Sequence, residues 1–185
     1  HILYMDKITL QPVTSATDPM TGYINSLYHS SFPEAERRPW PALMQLIEPG
    51  AMPFFKLYAA IDSSNKFAGF VSTWQLPDSL YIEHLAVEPS MRSNGVGGTI
   101  LDTVRDMAGD KPVVVEVELP DSNPDAPRRI AFYERHGFTA ISDFDYYQPP
   151  YAPGLPDVQL MLMTTRPLPD PVRFVIMLHT IVYNQ

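Results

Sequence analysis

Apolar positions alternate with polar ones, or gather as β-branched and aromatic runs, in seven stretches: 8–13, 54–61, 67–75, 80–87, 113–119, 138–147 and 158–164. A period of two marks a strand with one buried face, and a short continuous run suits a strand buried on both faces. Helical spacing marks 19–29, 33–48, 95–108 and 127–136 instead. Pro33 suits a first helical turn, with Ser31 just upstream as a cap. The segment 172–183 is rich in β-branched residues, yet Asp170 and Pro171 make a good N-cap and first helical position, so a C-terminal helix within 170–185 is expected. The polar tetrad 62–65 reads as a hairpin turn. The predicted order, β-α-α-β-β-β-α-β-α-β-β-α, is a mixed α/β fold.

Proline refines these boundaries, because it breaks helix interiors and central strands. The chain has 20 prolines in 185 residues, about twice the usual ~5%. None falls in 90–111 or 128–148, while they crowd into 120–127, 149–156 and 167–171, which read as loops. With 45% hydrophobic residues the chain can bury a core, and 1–185 is expected to form a single domain. Met5 reads as the natural start, with residues 1–4 preceding it.

Charge and cysteine content remove several functions. Lys and Arg total 13 against 21 Asp and Glu, a net charge of −8. Such a body repels phosphate backbones and anionic membranes and favours cationic partners. The adjacent pairs Arg37-Arg38 and Arg128-Arg129 are too small for a nucleic-acid footprint, so neither nucleic acid nor membrane is an expected partner. There is no cysteine, which excludes disulfides, thiolate metal sites and a cysteine nucleophile. The sequence shows no apolar run of the ~18–20 residues that span a bilayer and no secretory signal, and a cytoplasmic location is expected.

The chemistry concentrates in residues 81–101. A strand ends at Val87, a glycine-rich turn follows, and a helix begins near Thr99. Glycines there let a ligand approach the backbone, and the helix start offers unpaired N–H groups and a positive dipole end to phosphate oxygens. The same glycines also suit a plain turn. A P-loop is excluded, because no lysine lies between Lys66 and Lys111. A dinucleotide G-x-G-x-x-G fails because the third position counted from Gly95 is Ile100, and because three expected strands precede this one.

What stands is R-x-x-G-x-G, formed by Arg92, Gly95 and Gly97 directly after Leu85-Ala86-Val87-Glu88-Pro89. A second segment runs Arg129-Ile130-Ala131-Phe132-Tyr133-Glu134-Arg135-His136-Gly137-Phe138. One helix and one strand separate the two. Together they resemble the acetyl-CoA signature and the A-I-x-F-Y-E-x-x-G-F segment of the GNAT acetyltransferase superfamily, over about Phe67 to Phe138. The resemblance implies a mostly antiparallel sheet of about seven strands, flanked by helices and splayed between the fourth and fifth strands. It implies acetyl-CoA as acyl donor, with the pyrophosphate on the loop of Arg92, Ser93, Asn94, Gly95, Val96, Gly97, Gly98 and Thr99. Pantetheine would lie along Leu85, Ala86 and Val87, the Leu85 N–H polarising the thioester carbonyl. Many members carry an asparagine where Ala126 stands here; Asn123 is the nearby candidate for that CoA contact.

The implied reaction is attack of a primary amine on the thioester, in a ternary complex and without a covalent enzyme intermediate. Glu83, two residues before Leu85 and so on the same face of an ideal strand, is the expected base, directly or through water; the alternatives are a substrate contact or an ion pair with an arginine. His84 is expected on the opposite face, packed or at the surface. Tyr133 matches the tyrosine that protonates the CoA sulfur, with core packing as the alternative. Residues 145–151 are expected either to wall the acceptor pocket or to form a stiff loop, and Glu116 and Glu118 share a face beside the cleft. Met161 and Met163 read as strand packing, and the five histidines show no metal-ligand spacing, so no metal is expected. The partner would be a cationic small-molecule or peptide amine. The apolar segment 174–182 packs on the sheet or on a second subunit of a homodimer. Two rival readings are a non-catalytic acyl-CoA-binding or sensing module and a nucleotide-binding regulatory domain.

Overall fold

Why the two sheet faces differ in chemistry follows from the order of the strands. The computed structural model describes residues 7–185, so the expected start at Met5 and residues 1–4 lie outside the described residues. Its elements are β1 (Thr9–Pro12), α1 (Met20–Ser31), α2 (Trp40–Ile47), β2 (Phe55–Ile61), β3 (Phe67–Gln75), β4 (Leu80–Val87) and α3 (Val96–Ala108). They continue with β5 (Val113–Glu118), α4 (Ala126–Arg135), β6 (Thr139–Ala140), β7 (Tyr146–Gln148), β8 (Val158–Thr164) and α5 (Pro171–Ile181). The strands form one 8-stranded sheet in the order β1-β2-β3-β4-β5-β8-β6, with β7 also on β8. Every pairing is antiparallel except β4 with β5, which is parallel.

The mixed α/β fold is as expected, with two differences of detail. The expected strand 138–147 is two short strands, β6 and β7, because the chain turns at Asp143, whose φ is 59°. Both then return to β8, Thr139 opposite Thr164 and Tyr146 opposite Leu160. The expected helix 33–48 is a short 3₁₀ turn at Glu34–Glu36 followed by α2. Pro39 has no N–H to continue a helix and pushes the residue before it towards extended backbone.

Alternation along the strands divides the core. One face, under α1, α2 and α5, gathers Ile24, Tyr28, Leu43, Phe70, Trp74, Tyr81, Leu162 and Leu178. The other, under α3 and α4, gathers Val71, Ile82, Ile100, Leu101, Val115, Tyr133 and Met163. Leu162 and Met163 thus serve opposite faces, as period two requires. α5 starts where Asp170 Oδ1 accepts the Arg173 N–H at 3.0 Å, and its Phe174 and Leu178 pack on the chain's own sheet. Among the described residues no helix is long and apolar enough to cross a membrane.

The feature that positions the site lies in mid-sheet. β4 pairs with β5 only at Leu80–Val113, Tyr81–Val114 and Ile82–Val115. Beyond that β5 stays with β8 as far as Glu118, while β4 follows β3 to Val87. Part of the reason is a bulge: Ser72 faces His84 but Thr73 faces Ile82, so Glu83 is an extra residue on β4. A bulge bends its strand and increases its twist, and here it coincides with the point where β4 leaves β5.

Candidate active site

Beyond Ile82, the edge of β4 is open backbone. The His84 N–H donates to Ser72 Oγ at 3.1 Å and the Glu88 N–H to the Ala68 carbonyl at 2.9 Å, both on the β3 side. Strand alternation then turns the N–H and C=O of Leu85 and Val87 towards the gap. The Val87 carbonyl accepts from Arg92 Nε at 3.3 Å. Glu83 is partly exposed as a residue while its side chain is 0% exposed, so what solvent reaches there is main chain.

The bulge changes the orientation expected at this edge. Glu83 and His84 both point to the α1 and α2 face, whereas Leu85 packs with the α3 and α4 cluster. Glu83 and Leu85 therefore do not share a face. Glu83 accepts from Trp74 Nε1 at 2.8 Å, from Arg38 Nη2 at 3.0 Å and from the Tyr151 hydroxyl at 2.6 Å. Burial alone would raise its pKa, but the Arg38 charge, His84 and the two neutral donors outweigh it and hold it below the usual value. Arg38 also donates to the Val182 carbonyl at 3.0 Å and lies over the Trp74 and Tyr151 rings at 5.7 and 5.1 Å. His84 is packed: Nε2 is 2.7 Å from the Glu36 carbonyl oxygen, and the ring meets Tyr28 and Phe32 edge-on.

Glu116 stands on β5, on the far side of the gap. Its Oε1 accepts from the hydroxyls of Tyr81 and Tyr183, the latter at 2.7 Å. Tyr146 lies against the same group without completing a hydrogen bond. Oε2 accepts no hydrogen bond among the described residues. Burial pushes this carboxyl up to about 7, the Tyr81 and Tyr183 hydrogen bonds oppose the rise, and the Glu83 charge adds to it.

On the other face, α4 presents Tyr133. Its ring packs on Phe132 and Phe138, with centroids 5.3 and 5.4 Å away. Its hydroxyl has no hydrogen-bond partner among the described residues and keeps contact with solvent. Burial pushes this phenol up to about 12, so it is protonated at neutral pH. Arg129, one turn earlier, pairs with Glu118 at the end of β5. Asn123 is exposed, and its Oδ1 accepts the Asp125 N–H at 3.0 Å in the turn before α4, while Ala126 is buried.

Between these faces the loop after β4 presents donors. Ser93 and Gly95 take positive φ, 73° and 76°, curling the chain into α3. The N–H groups of Val96, Gly97 and Gly98 find no acceptor among the described residues, whereas Thr99 turns its N–H and hydroxyl back to the Gly95 carbonyl, both at 3.0 Å. Asn94 and Arg92 are exposed, and Arg92 makes no ion pair among the described residues. The glycines also have a packing role. A Cβ on Gly97 would stand 3.0 Å from the Phe132 ring, and one on Gly98 2.5 Å from His136.

A profile of the acetyltransferase (GNAT) family matches residues 22–138. The chain belongs to the GNAT acetyltransferase family. A solved GNAT-family structure from Bacteroides thetaiotaomicron, assigned as an acetyltransferase, is 33% identical to it, covers 96% of this chain and 99% of its own, and superposes with a TM-score of 0.85. More distant structures share the fold. The spermidine/spermine N-acetyltransferase SpeG from Vibrio cholerae matches at 15% identity and a TM-score of 0.58, over 86% of this chain and 93% of its own. The ribosomal-protein-S18-alanine N-acetyltransferase from Escherichia coli matches at 19% and 0.58, over 89% and 98%. Comparison with curated proteins by sequence returns no match.

The family uses acetyl-CoA, and the residues of this GNAT chain fit it. Three unpaired N–H groups at the start of a 13-residue helix suit a pyrophosphate, and the exposed edge of Leu85 and Val87 suits an amide-bearing arm. Arg92, the loop and Leu85 to Val87 therefore lie along one path. Tyr133 and Glu83 do not lie together: they belong to opposite faces of the sheet, joined only through the gap. Asn123 is engaged in its own turn. Arg38, Trp74, Tyr81 and Tyr183 were not singled out from sequence, because nothing local marks them. Arg38 meets Glu83 from 45 positions away, and Tyr183 meets Glu116 from 67. An open hollow of about 300 Å³ lined by Asp102, Arg105, Lys111 and Arg166 lies at the opposite end of α3 from the glycine loop. Among the described residues no group of His, Asp and Glu is gathered as a metal site.

Proposed function

We propose that this GNAT protein transfers an acetyl group from acetyl-CoA to a primary amine of a small molecule or peptide, by direct attack, with residues 1–185 acting as one catalytic unit. The observation that carries the reading is the parting of β4 from β5 after Ile82. It leaves the facing edges of β4 and β5 unpaired, with the donor loop and Tyr133 on one face of the sheet and two carboxylates on the other. Two neighbours in fold carry the names of N-acetyltransferases, in keeping with an amine acceptor.

When bound, acetyl-CoA supplies a thioester activated towards amines. Val96, Gly97 and Gly98 hold the pyrophosphate through their N–H groups, with Arg92 adding charge, and Leu85 and Val87 hold the pantetheine arm as a neighbouring strand would. The Leu85 N–H polarises the acetyl carbonyl. The Tyr133 hydroxyl, free of protein partners, gives a proton to the sulfur as it leaves. Glu83, held by Arg38 and Trp74, accepts from the Tyr151 hydroxyl and so keeps Tyr151 in place on the acceptor side.

Calorimetric titration with acetyl-CoA, CoA and ATP tests the first half. Micromolar binding of both CoA species without ATP binding is the expected result, and its absence would leave only ancestry of fold. Thiol release from acetyl-CoA across a panel of alkylamines, diamines, amino-acid amides and peptides tests the second half. Binding without turnover on any amine would favour a non-catalytic acyl-CoA-sensing role.

A further inference from the structure

The acceptor side of the sheet carries two carboxylates, Glu83 and Glu116, and the structure gives them different tasks. Resting on the acetyl-transfer reading above, we infer that Glu116, not Glu83, takes the proton from the acceptor amine, and that Tyr81 and Tyr183 position it by holding Oε1 so that Oε2 faces the incoming nitrogen.

Saturation of the oxygens decides between the two. Glu83 has both oxygens occupied, Oε1 by Trp74 and Oε2 by Arg38 and Tyr151, and a side chain that is 0% exposed. To accept a proton from a substrate it would have to release a donor, and its charge is already balanced by Arg38. Glu116 has its hydrogen bonds from Tyr81 and Tyr183 on Oε1, while Oε2 accepts none among the described residues. No Lys or Arg pairs with it among the described residues. It is therefore the uncompensated carboxylate of the pair, suited to an acceptor that arrives as an ammonium ion.

The groups facing Glu116 are Tyr81 and Glu83 from β4, Tyr146 from β7, and Tyr183 from the tail after α5. Tyr151 is linked to them through its ring contact with Tyr183, centroids 5.1 Å apart. Each phenol is raised by burial above its ordinary value and remains a neutral donor. The carboxylate titration is consistent with the geometry: a base poised near neutrality accepts a proton at the pH where it must work.

The protons balance as follows. Glu116 Oε2 takes one proton from the ammonium. The freed nitrogen forms the C–N bond to the acetyl carbon as the C–S bond breaks. Tyr133 gives its proton to the departing sulfur and regains one from the second proton shed by the nitrogen, while the third stays on the amide. Glu116 returns its proton to solvent as product leaves.

Glu116→Gln keeps an Oε1 acceptor for Tyr81 and Tyr183, so it should fold, which a thermal melt checks. It should bind acetyl-CoA like the parent protein and lower kcat/KM at least 100-fold on the best amine of the panel. The acid limb of the pH–rate profile, expected near 7 in the parent, should vanish, and Glu116→Asp should keep that limb with partial activity. An unchanged profile in Glu116→Gln would overturn the assignment. A second arm needs no acceptor: ¹³C-carboxyl NMR of glutamate-labelled protein, with Glu116→Gln identifying the signal. Titration of Glu116 near neutrality supports the inference, and titration in the ordinary carboxylate range overturns it. Loss of acetyl-CoA binding in the parent protein would refute the transfer reading itself, a result separate from either arm.

Discussion

Arg38 Nη2 lies 3.0 Å from Glu83 Oε2, and the carboxylate it holds has no exposed surface. The pair joins the turn before α2 to the bulge of β4, so it ties the acceptor side to the strand that parts from β5. Removing one partner of a buried pair leaves the other charge uncompensated, at about 3–5 kcal/mol. Arg38→Met should therefore lower stability on that order, measured by urea unfolding, and adding Glu83→Leu should restore much of the loss. The pH dependence has a definite sign. Glu83 titrates below its ordinary value in the folded protein, so its contribution is present above the unfolded carboxylate range and is lost as pH falls through the folded value. In Arg38→Met burial is no longer offset by the cation, so the ionised carboxylate is the costly form and part of the lost stability should return as pH falls and Glu83 takes up a proton.

Gly69 is required by the approach of β3 to the edge that receives the cosubstrate. A Cβ there would stand 2.4 Å from the Ala86 carbonyl oxygen, and backbone cannot step aside as a flexible side chain can. Gly69→Ala should cost about 1–3 kcal/mol and weaken acetyl-CoA binding by shifting Leu85 to Val87. Calorimetry on the folded variant checks the second effect, and unchanged affinity would mean that the edge does not hold the arm.

Crowding and charge are separable in the donor loop. Gly97→Ala adds a Cβ 3.0 Å from the end of the Phe132 ring, which can move a little, so a modest loss of acetyl-CoA affinity is expected. Gly97→Asp adds a negative charge beside the unpaired N–H groups as well and should reduce affinity by a further tenfold or more, about 1.4 kcal/mol. Equal effects of the two variants would remove the phosphate from this loop.

Tyr133→Phe removes a hydroxyl that no protein group holds. Its thermal stability and acetyl-CoA affinity should stay close to those of the parent. Turnover should fall on the order of 10²-fold if the phenol protonates the leaving sulfur, and turnover equal to the parent would make Tyr133 a packing residue.

The sequence by itself determined most elements and their order, because period two, helical spacing and proline act locally. The strands 67–75, 80–87 and 158–164 have the expected limits, and the donor loop was legible because Arg92, Gly95 and Gly97 lie within six residues of one another. Even the break before α2 was written in Pro39, though the expected helix ran through it. Tertiary structure decided the rest. A bulge exists only against a partner strand, so the turning of Glu83 and His84 to one face is invisible in an ideal alternation. The break within 138–147 likewise reflects the return of both halves to β8. Above all, the state of a carboxylate depends on what surrounds it after folding. Arg38, Trp74 and Tyr151 saturate Glu83, whereas Tyr81 and Tyr183 leave one oxygen of Glu116 open, and those neighbours come from distant parts of the chain.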